Sequence, residues 1–93
     1  MRIADLPCEL RPRERLLAMG ASTLGDAELL AILLRTGTSG MSAVELGSVL
    51  LARFGSIARL LAATPEELEG IRGLGDAKCA ELLAINELQR RAL

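Results

Sequence analysis

The chain has 93 residues, with 11 basic and 12 acidic side chains, no histidine and a single aromatic residue, Phe54. That length holds one ordinary domain. Residues 1–40 sum to zero charge and residues 41–93 to −1, so neither half is a basic arm, and the missing histidine removes His-based triads and His metal ligands.

Leu and Ala supply 34 positions and the β-branched types only 11, a mix that favours helices over strands. The apolar share of 51% is enough for a packed core. Glycines and capping residues divide the chain into about six short helices. The first starts at Pro12, which suits a first helical position because its missing N–H would have no partner there. It carries Leu16 and Leu17 and stops near Gly20. The second is expected from about Asp26 to Arg35. Its interior, Leu29 to Leu34, is apolar all round, which predicts a place at the centre of the bundle.

Thr36 to Gly40 reads as a turn. Its hydroxyls and glycines could hold an anion, but a simple connection is the better reading. Ser42 opens the third helix, and Glu45 completes a capping box. Val44, Gly47, Leu50, Leu51 and Phe54 fall on one face. Gly55-Ser56 ends that helix and caps a fourth carrying Ile57, Leu60 and Leu61. Thr64-Pro65-Glu66-Glu67 is the clearest start signal: a cap, a first-position proline, and a glutamate reaching back. This fifth helix holds Leu68 and is expected to end near Ile71. After Gly73-Leu74-Gly75, the last helix is expected from about Asp76 to Arg91, with Ala80, Leu83, Ala84 and Leu88 toward the core. The expected fold is all-α, a compact bundle of about six short helices forming a single domain over 1–93.

Other chemistries find little support. Cys8 and Cys79 stand 71 positions apart without partner ligands, which fits a reduced, cytoplasmic setting better than a disulfide or zinc site. Cys79 reads as a small buried hydrophobe rather than an activated thiol. No segment is apolar enough to span a membrane, and the N-terminus, with Asp5, Pro7 and Glu9, lacks a signal-peptide centre. Hydroxyls have no base to activate them, so no catalytic residue, metal or cofactor is assigned.

One stretch carries chemistry. From Leu68 to Ala80, two short helices meet through Gly73-Leu74-Gly75. Leu74 can point into the hairpin and lock it, while the glycines can adopt positive φ and leave no side chain in the way. Unpaired N–H groups at the start of the last helix, with the positive end of its dipole, make an anion site. Lys78 adds a formal charge and Arg72 assists. The predicted phosphate-binding residues are therefore Arg72, Gly73, Gly75 and Lys78. Asp76, Glu69 and Glu81 oppose an anion, so binding should be weak and salt-sensitive. A dinucleotide-type Gly-x-Gly-x-x-Gly loop fails because Lys78 stands at its third glycine and no strand precedes it. Arg11, Arg13 and Arg15 form a basic edge, read as a solvated face with Glu14 interleaved and, more sharply, as a second phosphate contact. Arg90 and Arg91 complement the last helix's dipole.

The hairpin resembles the helix-hairpin-helix motif, here residues 64–92, which binds DNA through backbone phosphates. Arg11-Pro12-Arg13-Glu14-Arg15-Leu16-Leu17, the block Asp26 to Thr38, Phe54-Gly55-Ser56, the Gly73 hairpin and Glu87 to Arg91 together resemble the N-terminal region of the bacterial RadC family. That resemblance covers nearly all of residues 5–93 and is most specific at 26–38. It implies a DNA-repair setting and a helix-hairpin-helix domain. It further implies a following domain similar to JAB/MPN zinc metalloproteases, with histidine ligands, which is expected to be absent from this chain. Gly25 departs from a common Ser, Gln89 from a common Gly, and Asp76 from a Pro frequent in such hairpins. The expected partners are duplex or branched DNA. The alternative is a protein-docking role, toward the absent C-terminal domain or a repair or replication partner. No membrane partner is expected.

Overall fold

A computed structural model describes residues 11–37 and 40–93. These form six α-helices and one 3-10 turn, with no strand among the described residues. Helix α1 spans Pro12–Met19, the 3-10 turn Ala21–Thr23, α2 Asp26–Leu34, α3 Ala43–Phe54, α4 Ile57–Leu61, α5 Pro65–Glu69 and α6 Asp76–Ala92. The all-α class read from the composition is the observed one. Cys8 and the first ten residues, and Thr38 and Ser39 of the predicted turn, lie outside the described residues.

The caps follow the local code. Ser42 Oγ accepts from the Glu45 N–H at 3.1 Å, and Glu45 Oε1 accepts from the Ser42 N–H at the same distance. Thr64 and Glu67 repeat this box at α5, and Ser56 Oγ caps α4 through the Arg59 N–H. Each box satisfies N–H groups that the helix itself leaves unpaired. At Gly25 only half the device exists: Glu28 Oε1 accepts from the Gly25 N–H at 3.0 Å, and glycine has no side chain to return the bond.

Eight leucines form the centre, Leu30, Leu34, Leu46, Leu50, Leu60, Leu68, Leu74 and Leu82, with Ala63 and Ile71. No polar or charged residue is buried among the described residues. Helix α3 crosses α2 closely at Gly47. No residue of helix α1 is fully buried, and Leu17 is 82% exposed. Half-buried Leu16 and Met19 are joined by polar bonds in holding α1 in place. The Arg15 guanidinium pairs with both Glu28 carboxylate oxygens, and its Nη2 also donates to the Thr23 carbonyl at 3.1 Å.

The structure corrects several expectations. Helix α2 ends at Leu34, and Arg35 follows at φ 65°. It is not enclosed all round: Leu30, Ala31 and Leu34 are buried, whereas Leu33 is 38% exposed. Leu46, absent from the predicted face of α3, is fully buried, because the face that meets α2 is centred between Leu46 and Leu50. Helix α5 ends at Glu69, before Ile71. On α6 the core residue is Leu82, whereas Ala80, Ala84 and Leu88 face outward.

Candidate functional site

The hairpin is built by two successive tight turns. The Ile71 N–H donates to the Leu68 carbonyl at 3.2 Å, and the Leu74 N–H donates to the Ile71 carbonyl at 3.1 Å. These bonds turn Ile71 and Leu74 into the core, where both are buried. Leu74 thus locks the hairpin as its position between two glycines predicts. Gly73 has φ 90°, a conformation that glycine adopts without steric cost. Gly75 does not share it. At φ −80° and ψ 178° it has ordinary extended geometry, so its role is not conformational.

Gly75 instead keeps the start of α6 open. It is exposed, and a Cβ added there would meet nothing within 4 Å. Its carbonyl accepts from the Cys79 N–H at 3.0 Å, which begins the helical ladder. The N–H groups of Asp76, Ala77 and Lys78 precede that ladder and lack intrahelical acceptors. No side chain among the described residues caps them. Asp76 lies in the first turn, where its charge complements the dipole, yet its carboxylate takes none of these donors.

The two flanks of this helix start differ in charge. On the α5 side a hollow is lined by Pro65, Glu69, Leu74, Asp76, Cys79 and Leu83. On the α2 side a groove is lined by Leu34, Arg35, Thr36, Ala77, Lys78 and Glu81. Lys78 Nζ donates to Thr36 Oγ1 at 3.2 Å, and Arg35 forms an ion pair with Glu81. The ammonium of Lys78 therefore sits over the end of α2. Arg72 is exposed on the turn before Gly73 and has no ion-pair partner among the described residues. Arg72, Gly73, Gly75 and Lys78 thus occupy one end of the bundle. Sequence reasoning missed Arg35 and Thr36 as neighbours of Lys78, because they stand more than forty positions away along the chain.

The remaining candidates fall into structural roles. Burial, followed by the Asp76 and Glu69 carboxylates, pushes the Cys79 thiol up, opposite to what a nucleophile needs. Arg90 and Arg91 both pair with Glu87. No group of three metal-ligating side chains occurs among the described residues, and no helix there is long and apolar enough to cross a membrane.

Comparison with known proteins places the chain in a family. It is 56% identical to a UPF0758 protein of Polaromonas sp. over 93 residues, all of this chain and 42% of that protein. It is 57% identical to a UPF0758 protein of Bordetella petrii over 89 residues, 96% of this chain and 40% of that protein. A UPF0758 protein of Ralstonia pickettii is 56% identical over 93 residues, again all of this chain and 42% of the relative. The chain therefore spans about two fifths of the length of these relatives. No solved structure matches. The profile described as UPF0758 N-terminal matches residues 3–80, and the chain belongs to that family.

Proposed function

We propose that this domain binds DNA weakly and without sequence preference, holding backbone phosphates at the start of α6, as the N-terminal helix-hairpin-helix domain of a RadC-like DNA-repair protein. The observation that carries this reading is the open helix start: three consecutive N–H groups without an intrahelical acceptor, uncapped among the described residues and beside an exposed glycine. A phosphate oxygen placed there accepts from the backbone and meets the positive end of a 17-residue helix dipole. Lys78 and Arg72 supply formal charge. The contact positions a strand and reads no base. On this reading the chain carries no catalytic group of its own.

The test is Gly75→Asp. The extended backbone and open space at Gly75 accept a side chain, and an aspartate there caps the α6 N–H groups internally. The expected result is an unchanged or higher melting temperature with a several-fold loss of affinity for a short duplex at low salt. Lys78→Glu should weaken binding in the same titration. Unchanged affinity in both variants would refute the site.

A protein-docking role is the second reading, and one observation favours it. An apolar hollow of about 200 Å³ lies between α2, α4 and α6, lined chiefly by Leu29, Leu33, Ile57, Leu61 and Ile85. Its natural occupant is the portion of the longer family proteins that this chain does not span. Hydrogen exchange on a full-length relative would show protection of the Leu33 and Ile85 segments compared with this chain.

A further inference from the structure

The groove beside Lys78 does not stop at the hairpin. Arg35 lines that groove and also lines a second hollow, of about 380 Å³, between α1, α2 and the start of α3. Arg11, Arg13 and Arg35 line this hollow, and Ala31, Ile32 and Val44 give it apolar lining. Four cations line these two hollows: Lys78 the groove beside the start of α6, Arg35 both, and Arg11 and Arg13 the second. They come from three stretches far apart in sequence, the start of α1, the end of α2 and the first turn of α6, so the fold assembles what net charge and composition conceal.

We infer that these cations form one continuous track, along which a second stretch of the same sugar-phosphate backbone lies, past the end of α2 and into the Arg11–Arg13–Arg35 hollow. The inference rests on the DNA-binding reading and extends its footprint. Guanidinium groups pair with phosphate oxygens through two parallel N–H donors, and the apolar lining suits the carbon face of a deoxyribose better than it suits a bare ion. Two of the arginines already have carboxylate partners, Arg11 with Glu14 at 2.7 Å and Arg35 with Glu81. Both arginines are mostly exposed in these pairs, and exposed pairs of this kind contribute little and exchange readily. Each guanidinium carries five N–H donors, so donors remain for a phosphate. Arg13 has no ion-pair partner among the described residues. Glu45, at the start of α3, turns its carboxylate back onto its own cap at Ser42.

The experiment is a fluorescence-anisotropy titration of a short duplex by the 93-residue chain across a series of NaCl concentrations. The variants are Arg13→Ala, Arg35→Gly, their double, and Gly75→Asp. Glycine suits position 35 because Arg35 occupies a positive φ. Circular dichroism confirms that each variant is folded. Each arginine removed should flatten the plot of log K against log[salt] by about one unit of slope, equally for unrelated sequences. An unchanged slope in the arginine double, while Gly75→Asp loses binding, overturns the track and leaves the hairpin site standing. Loss in the arginine variants with none in Gly75→Asp overturns the hairpin reading. Arginine-dependent binding of polyglutamate, with no arginine dependence for the duplex, overturns the nucleic-acid assignment of the hollow in favour of an acidic protein partner.

Discussion

Gly47 of α3 lies against the Ala27 carbonyl of α2: a Cβ built on Gly47 would stand 2.8 Å from that oxygen and 3.3 Å from the Leu30 Cβ. This closeness lets the two central helices cross backbone to backbone, which brings Leu46 and Leu50 fully into the core. Gly47→Ala must push the helices apart and should destabilise the domain by about 1–3 kcal/mol, the usual cost of overpacking. Gly70 is the control. Its φ of −83° suits any residue and a Cβ there meets nothing within 4 Å, so Gly70→Ala should be neutral or mildly stabilising. Urea unfolding of both variants decides the matter. Equal midpoints would mean that the close crossing is unimportant.

The two hairpin glycines make a second contrast. Gly73 sits at φ 90° and Gly75 at φ −80°. Gly73→Ala should cost about 1–3 kcal/mol, because an L side chain is strained in that region. Gly75→Ser should cost nothing measurable, since serine is at least as good a helix cap as glycine. Thermal melts of the two variants check this, and similar losses in both would contradict the backbone geometry.

What the sequence made legible was local. Ser42 with Glu45, Ser56, and Thr64 with Glu67 each act within three positions, so their bonds can be read along the chain. Leu74 was also legible, because an apolar residue between two turn glycines has one useful direction to point. The contacts that complete the candidate site were not. Arg35 with Glu81 and Lys78 with Thr36 bridge 46 and 42 positions, and they depend on how α6 is laid against the end of α2. Likewise nothing local showed that Arg15 would spend its charge on Glu28 while Arg13, two residues earlier, would not.

The Arg15–Glu28 pair gives the domain an acid sensitivity. The Arg15 hydrogen bond, and after it the Gly25 N–H, hold the Glu28 carboxyl below its ordinary value of 4.5. A carboxyl whose pKa is lower folded than unfolded adds stability that is fully present above the unfolded value. That contribution disappears as pH falls through the depressed folded value. The melting temperature should therefore drop on the acid side of about 4.5, and Glu28→Gln should reduce that drop while lowering stability at neutral pH. The Glu45 carboxyl is also lowered by its bonds to Ser42, but it titrates in both proteins and cancels in the comparison. Melts from pH 7 down to pH 3 test this, and an identical acid-side fall in the Gln variant would exclude Glu28 as a source.

The last helix shows where an apolar pattern misleads and how to measure the error. Ala80, Ala84 and Leu88 recur at helical spacing, yet Leu82 is the residue of α6 that is 1% exposed, whereas Leu88 is 65% exposed. Leu82 lies about 200° around the helix from Ala80, so the two stripes face opposite ways. Alanine cannot arbitrate between them, since its methyl is tolerated on either face. What decides is which stripe carries large side chains near the hairpin, where Cys79, Leu82 and Leu83 meet the core. Leu82→Ala should then cost about 2–5 kcal/mol, a large share of the 5–15 kcal/mol that a small domain commands. Leu88→Ala should stay within about 0.5 kcal/mol. Chemical denaturation of the pair reads both values directly. A Leu88 variant as damaged as the Leu82 variant would rotate α6 in its seat, and with it the placement of Lys78 over Thr36 on which the cationic track depends.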